Sequence, residues 1–321
     1  MHVWIKSAGT RLHPIEAAAP RWSHVPTHNW THYWSWERPS NYRRVVSHQS
    51  RCLRKVNHIS NLVIPLKPHL VDLSNFLNAL GLRQLVAIRT PPASYHKGMW
   101  IQKNGGHRGV TMWRGKALPR NAILQERAHP MMIPGTRRVF DVGIYVLVHS
   151  ISPLQFSVFN RWLIRICAHE YVASRLEHES HRFVVGDNYS VLSNFSVAQD
   201  DLTRCDNRSD CALWRMLQRH GSNVKLIESR IDKIIHGSLR FESRRYKRRM
   251  HLVSEFELLR FDFLLHRGDA RPLLTEINLS PELRIRYTEN DGMKRQLVRD
   301  VLHMVSTDAA KLGGWRHYEY L

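Results

Sequence analysis

The sequence predicts an α+β fold in which an antiparallel sheet is packed by helices. Three observations carry this reading. Several β-rich runs follow one another in the middle of the chain. Stretches with apolar residues at three- and four-residue spacing flank them on both sides. Near the C-terminus, "FELLRFDFLL" and "PLLTEINL" are separated only by the turn-like "HRGDAR", which reads as a hairpin. At 321 residues and 43% hydrophobic, the chain can fill the core of one large domain or of two to three smaller packed units.

In order along the chain, the first fifty or so residues are rich in Trp, His, Arg and Pro and lack periodicity, so they read as an irregular lead-in. A helix follows, with Leu70, Leu73, Phe76, Leu77 and Leu80 on one stripe. "GMWIQK" and "AILQE" read as short strands around a glycine-rich loop. "VFDVGIYVLVHS", "LQFSVFN" and "WLIRICA" read as three strands of a meander, turning at "ISP" and "RW". The polar segment from Glu170 to Cys211 reads as a long functional loop. Two helices come next, the second carrying Val224, Ile227, Ile231 and Ile235. "MKRQLVRDVLHMV" closes the pattern as a helix.

The 48 Lys and Arg against 27 Asp and Glu leave a formal charge of +21. That excess favours an acidic partner, whether nucleic acid, an anionic membrane or an acidic protein tail, and by itself does not choose among them. "RFESRRYKRRMH" concentrates six Arg and Lys within eleven residues, with Phe241 and Tyr246 interleaved. It reads either as a solvated helix face or as a docking patch, and no recognition motif for nucleic acid accompanies it. No run approaches the roughly 18 apolar residues of a membrane span. "MHVWIKSAGTRLHP" has no apolar h-region and does not read as a signal peptide. The four cysteines include no CxxC pair, which argues against a zinc site. "CDNRSDC" is read as two free thiols in a surface loop, the alternative being a small disulfide loop, and the compartment as reducing. Five Asn-x-Ser/Thr triplets occur, a frequency chance readily supplies.

Two segments have the make-up of a site. In "PLLTEINLSP", a period of two puts Leu274, Glu276 and Asn278 on one face of a well-buried strand and Leu273, Thr275, Ile277 and Leu279 on the other. Asp262 is as oddly placed, between Phe261 and Phe263. Two carboxylates and an amide oxygen from adjacent strands are hard ligands that suit Mg²⁺ with phosphate oxygens and water. The competing reading pairs Asp262 and Glu276 with nearby arginines, of which "RGDAR" offers two. In "QKNGGHRGV", Gly105, Gly106 and Gly109 let backbone N–H groups approach phosphates, with Lys103 as a point charge. "LQERA" reads as a hinge whose backbone can meet an adenine edge.

Taken in order, these pieces resemble the tubulin–tyrosine ligase-like family, from about Trp34 to the helix near Val305. "VNHIS" with "LKPHL" is similar to its Asn-His-Phe-Pro segment and the Lys-containing segment after it. "WIQKNGGHRG" is similar to its Trp-Ile-x-Lys loop. "LQERAHPMMIPGTRRVFDVGIYVLV" is similar to its hinge, its Pro-Leu-Leu-Ile-x-Gly run and its Lys-Phe-Asp-x-Arg-x-(Tyr/Trp)-Val-Leu-Val strand. "LIRICAHEY" is similar to its arginine strand and "VLSNFSV" to its Leu-Thr-Asn segment. "FELLRFDFLL" with "LLTEINLSPEL" is similar to its Phe-Glu-Leu-x-Gly-Phe-Asp and Glu-Val-Asn-x-Ser-Pro pair.

The resemblance implies an ATP-grasp fold with ATP held between two lobes, here divided as an irregular, partial N-terminal region (1–56), a central lobe (57–126) and a C-terminal lobe with the metal hairpin (127–321). It implies an ATP- and Mg²⁺-dependent ligase that activates a carboxylate as an acyl phosphate, which an amino group attacks to give an amide or isopeptide bond. The implied partners are tubulin or another acidic protein tail and an amino acid, first of all Glu, in a cytoplasmic, microtubule-associated setting. Carried over by position, Lys103 with Gly105, Gly106, Arg108 and Gly109 would contact the phosphates, and Gln125, Glu126, Arg127 and Ala128 would flank the adenine. Asp141 would belong to the nucleotide pocket, and Arg165 would meet the reacting carboxylate or γ-phosphate. Ser193 and Asn194 would lie near the amino acid, and Asp262, Glu276 and Asn278 would hold Mg²⁺.

Three positions depart from the pattern. Val139 replaces the lysine before Phe-Asp, with Arg137 and Arg138 just upstream. Gly143 replaces the arginine two residues beyond that Asp, and Gln199 or a neighbour replaces a lysine after the Thr-Asn segment. Each removes a cation where negative charge develops, and an uncompensated loss typically costs about 3–4 kcal/mol of transition-state stabilisation. Arg108 is one candidate compensating charge. The departures suit a divergent branch and keep two alternatives open: a catalytically impaired pseudo-ligase that still binds nucleotide, and a basic microtubule- or nucleic-acid-binding module.

Overall fold

The computed structural model describes residues 3–6, 22–23, 32–35, 55–57, 59, 67–91, 100–103, 110–172, 189–246, 254–279, 281–284, 287–307 and 312–320. Its strands are β1 (Val3–Lys6), β2 (Trp22–Ser23), β3 (His32–Ser35), β4 (Lys55–Asn57), β5 (Ala87–Ile88), β6 (Trp100–Lys103), β7 (Val110–Met112), β8 (Ile123–Glu126), β9 (Phe140–Ile151), β10 (Leu154–Cys167), β11 (Tyr189–Ser190), β12 (Ser254–Leu265), β13 (Pro272–Leu279) and β14 (Trp315–Tyr320). Its helices are α1 (Lys67–Ala79), α2 (Gln199–Arg204), α3 (Ser209–Arg219), α4 (Val224–Arg245) and α5 (Thr288–Thr307).

The strands form two sheets. The larger runs β11-β10-β9-β12-β4-β3-β1-β2, with β13 paired to β12 and β14 to β10; the smaller runs β5-β8-β6-β7. Pairing is antiparallel throughout the smaller sheet and from β11 to β12 and β13, while the N-terminal strands join in parallel. The mixed helix and antiparallel-sheet fold predicted from sequence is therefore present.

Alternation along the central strands splits the larger sheet into two faces. Phe140, Val142, Ile144, Ile164, Phe261 and Phe263 point to one, where Leu73 and Leu77 of α1, Leu213 and Leu217 of α3 and Ile227, Ile231 and Ile235 of α4 close a single core. Tyr145, Leu147, Leu163, Phe256 and Leu258 point to the other, where α5 covers them with Leu297, Val298, Val301 and Leu302. The long α4 starts where the Asn223 side chain accepts the Leu226 N–H at 3.0 Å, capping an orphan donor, and ends with Arg244 and Arg245 in its last turn. Two of the residues in family-like motifs are structural stitches. Asn57 exchanges hydrogen bonds with the Ser35 backbone, joining β3 to β4, and the buried Glu257 carboxylate accepts the Ile59 N–H at 3.2 Å.

Several expectations are corrected. "LQFSVFN" and "WLIRICA" are one strand, β10; the register shift between Val158 and Trp162 absorbs Asn160 and Arg161 as an irregularity where the sequence predicts a turn. The lead-in contributes short strands, because its β1 and β3 extend the parallel edge of the larger sheet. The segment 170–211 is not all loop: Leu192–Asn194 and Ser196–Ala198 form 3-10 turns, and α2 and the start of α3 follow. Cys205 and Cys211 are not free thiols. Left-handed backbone at Asp206 and Asn207 folds the loop back, and the two sulfurs form a disulfide. That removes the free-thiol argument for a reducing compartment. β13 is buried only in its first half, since Glu276 and Leu279 are exposed. Its pattern is also broken by a bulge: the register passes from Asp262↔Glu276 to Phe263↔Leu274, so Leu274 turns into the helix-packed core and not to the side of Glu276. No helix among the described residues is long and apolar enough to cross a membrane.

Candidate functional site

The alternation that buries Phe140 and Val142 under the helices sends Asp141, Gly143 and Tyr145 to the opposite face of β9. Register then lines up polar partners across four strands: Arg165 of β10 opposite Asp141, Asp262 of β12 opposite Gly143 and Glu276, and Arg260 opposite Tyr145 and Asn278. Asp141, Arg165, Arg260 and Asp262 are all buried.

Arg165 donates from Nε to Asp141 Oδ1 at 2.8 Å, and from Nη2 to Asp141 Oδ2 at 2.6 Å and Asp262 Oδ2 at 3.0 Å. Arg260 clamps Asp262 in a bidentate pair, Nε to Oδ1 at 2.7 Å and Nη2 to Oδ2 at 2.8 Å. The Asn278 amide bridges the carboxylates, donating to Asp262 Oδ2 at 2.9 Å and Glu276 Oε1 at 3.1 Å. An unpaired carboxylate at the depth of Asp262, which is 1% exposed, would be prohibitively costly. Burial opposes its charge, but Arg165 and Arg260 overcome that and hold its carboxyl below the ordinary range. Asp141 goes the other way: burial raises it, Arg165 only partly offsets the rise, and the Asp262 charge adds to it.

Asp262, Glu276 and Asn278 lie within hydrogen-bond reach of one another, but the Asn278 N–H groups face the carboxylates where the sequence reading has the amide oxygen; two carboxylates with an amide suit Mg²⁺ in donor type. Glu276 is exposed, whereas both oxygens of Asp262 are engaged, Oδ1 by Arg260 and Oδ2 by Arg165, Arg260 and Asn278. Among the described residues no three His, Cys, Asp or Glu cluster as ligands. The arginines of "RGDAR" are not the partners of Asp262. Arg271 pairs with Asp269 in the turn instead.

The smaller sheet meets this hairpin at the bulge. The Lys103 ammonium, at the end of β6, donates to the Thr275 carbonyl at 2.9 Å, and Thr275 Oγ1 donates to the Asp262 carbonyl at 2.9 Å. Gln84 accepts the Leu274 N–H at 2.9 Å. Gly105, Gly106, Arg108 and Gly109 lie outside the described residues. Gln125 is buried on β8, and Glu126 joins the chain at Val86 through its backbone N–H (2.8 Å); Arg127 and Ala128 follow, half-buried. Ser193 and Asn194 sit exposed in a 3-10 turn, where Gln199 donates to the Ser193 carbonyl at 2.8 Å. Arg138 does not enter the ionic group. Its guanidinium bonds the Cys167 and Ala168 carbonyls and lies over Phe195.

Sequence reasoning missed Arg260. The signal was present, since "FELLRFDFLL" has Arg260 where the motif it resembles has glycine.

A family sequence model described as the tubulin-tyrosine ligase family matches residues 121–312. Among curated proteins, the mouse tubulin monoglutamylase TTLL4 is 30% identical over 226 residues, 67% of this chain and 18% of the relative. The Caenorhabditis elegans tubulin polyglutamylase ttll-5 is 31% identical over 179 residues, covering 51% of this chain and 24% of the relative. The probable tubulin polyglutamylase ttll-15 of the same species is 25% identical over 66% of this chain and 43% of the relative. The chain therefore spans less than half the length of these relatives. With more than half of its residues matched, and with the carboxylate hairpin and arginine strand inside the match, the chain belongs to the tubulin-tyrosine ligase family.

Proposed function

We propose that this chain is the core of an ATP-dependent ligase that joins an amino acid, glutamate first of all, to an acidic tubulin tail. The observation that carries the reading is the four-strand alignment of Asp141, Arg165, Asp262, Glu276 and Asn278 inside a matched family region. The names of the similar proteins, monoglutamylase and polyglutamylase, support the choice of amino acid and acceptor.

In the reaction proposed, a carboxylate takes the terminal phosphoryl group of ATP, and an amine then attacks the activated carbonyl and displaces phosphate. Asp262, Glu276 and Asn278 would hold Mg²⁺, which when bound supplies charge neutralisation on the phosphates. Arg165, held rigid by Asp141, is aimed to stabilise charge on the transferring group without reorganising. Lys103, tied to the Thr275 carbonyl, brings the smaller sheet's cation to the same hairpin, and Gln125 to Ala128 would flank the base. Ser193 and Asn194, in their exposed turn, are the proposed contacts for the incoming amino acid.

A pseudo-ligase that binds nucleotide without turnover is the second reading. It is favoured by the saturation of Asp262, whose two oxygens accept from Arg165, Arg260 and Asn278. Incubation with ATP, Mg²⁺, labelled glutamate and microtubules separates the two. Label on tubulin supports the ligase. Nucleotide binding without incorporation of Glu, Gly or Tyr supports the pseudo-ligase.

A further inference from the structure

Gly143 lies under the side chain of Arg260. A Cβ on residue 143 would come 3.0 Å from Arg260 Cδ and 3.2 Å from Asp262 Oδ1, so the Arg260 side chain occupies the space that a side chain on β9 would need there. Gly143 has ordinary backbone geometry, so the missing Cβ serves this close approach and not a turn. The Arg260 guanidinium spends Nε and Nη2 on Asp262, and Arg165 spends Nε and Nη2 on Asp141 and Asp262. In each case Nη1 has no bonding partner among the described residues, and each side chain is 10% exposed. Beside Arg260, the wholly buried Tyr145 hydroxyl lies within reach of its guanidinium.

We infer that Arg260 and Arg165 form a two-guanidinium cradle for a phosphoryl group, with Arg260 supplying from β12 the cation that β9 does not carry at Gly143. Guanidinium donors fixed by carboxylates present the remaining N–H groups at a set angle, the arrangement that suits tetrahedral phosphate oxygens. Against the motifs these strands resemble, Gly143 stands in an arginine position and Arg260 in a glycine position. The cationic gap left by Gly143 is filled across the strand. This inference rests on the nucleotide-binding part of the proposed function, and its test does not need ligase turnover.

The test is calorimetry on the full chain with the non-hydrolysable β,γ-imido analogue of ATP and with adenosine, for the parent, Arg260→Gly, Gly143→Arg and the exchange variant Gly143→Arg/Arg260→Gly. Thermal unfolding of each variant runs alongside. Arg260→Gly is expected to weaken the triphosphate analogue by about tenfold or more while leaving adenosine unchanged. Gly143→Arg alone is expected to unfold at lower temperature, because two side chains then claim one space. The exchange variant is expected to recover both the melting temperature and the analogue affinity. An exchange variant no better than the sum of its single changes overturns the inference. So does equal loss of adenosine and analogue, which marks Arg260 as purely structural, or a parent that binds no analogue. If the exchange restores analogue binding while no variant labels tubulin, the ligase reading fails and the cradle stands.

Discussion

Asp262 and Glu276 are expected to behave differently on mutation, although both are proposed metal ligands. Asp262 neutralises two buried guanidiniums, so Asp262→Asn is expected to cost about 3–5 kcal/mol of stability as well as activity, read by denaturant unfolding. Glu276 is exposed and, among the described residues, accepts from Asn278 alone, so Glu276→Gln is expected to abolish incorporation while shifting stability by no more than about 0.5 kcal/mol. Glu276→Gln is therefore the cleaner probe of a metal role, and an unchanged incorporation rate would count against one. Away from the site, burial pushes the Glu242 carboxyl up to about 7, with Arg245 opposing. A carboxyl raised in the folded state contributes stability below its unfolded value, and that contribution disappears as pH rises through the folded one. Stability is thus expected to fall between about pH 4.5 and 7 by on the order of 2 kcal/mol from this group, and Glu242→Gln to flatten the slope.

At the level of elements, long periodic segments were legible and interruptions were not. The stripe of Val224, Ile227, Ile231 and Ile235 and the β12–β13 hairpin stand as the sequence predicts, because burial on one face dictates both periods. The bulge at Thr275 and the irregularity at Asn160 and Arg161 leave no mark in residue type, since each is set by what the neighbouring strand and sheet require. The bulge matters to the site. It lets Leu274 join the core while Glu276 and Asn278 face Asp262, and it offers the Thr275 carbonyl to Lys103. Arg260 was legible in principle, as an arginine in a glycine position, but its role depends on the register that sets it over Gly143. On α4, a Cβ at Gly237 would approach Leu77 Cδ2 to 2.8 Å. Overpacking of that buried leucine is expected to outweigh the helix-propensity gain, so Gly237→Ala should destabilise by about 1 kcal/mol in unfolding experiments.

For the whole molecule, the start of the basic stretch and the ionic group are separated by the sheet. The ionic group lies on one face, whereas α4, whose last turns begin the basic stretch, packs on the other. There Arg244 lies over Phe76 and Arg245 over Phe241. If the basic stretch steers the chain to acidic tails, charge reversal at Arg244, Arg245 and Arg248 should slow microtubule association and reduce its salt dependence while leaving nucleotide affinity unchanged. Loss of nucleotide affinity in that variant would contradict the separation. The central claim is that the hairpin and arginine strand form a working ligase centre. Its most direct test is transfer of labelled glutamate to tubulin with ATP and Mg²⁺, run beside Glu276→Gln. A working centre puts label on tubulin that requires ATP and is lost in the variant. A folded, nucleotide-binding protein that transfers no Glu, Gly or Tyr would contradict it.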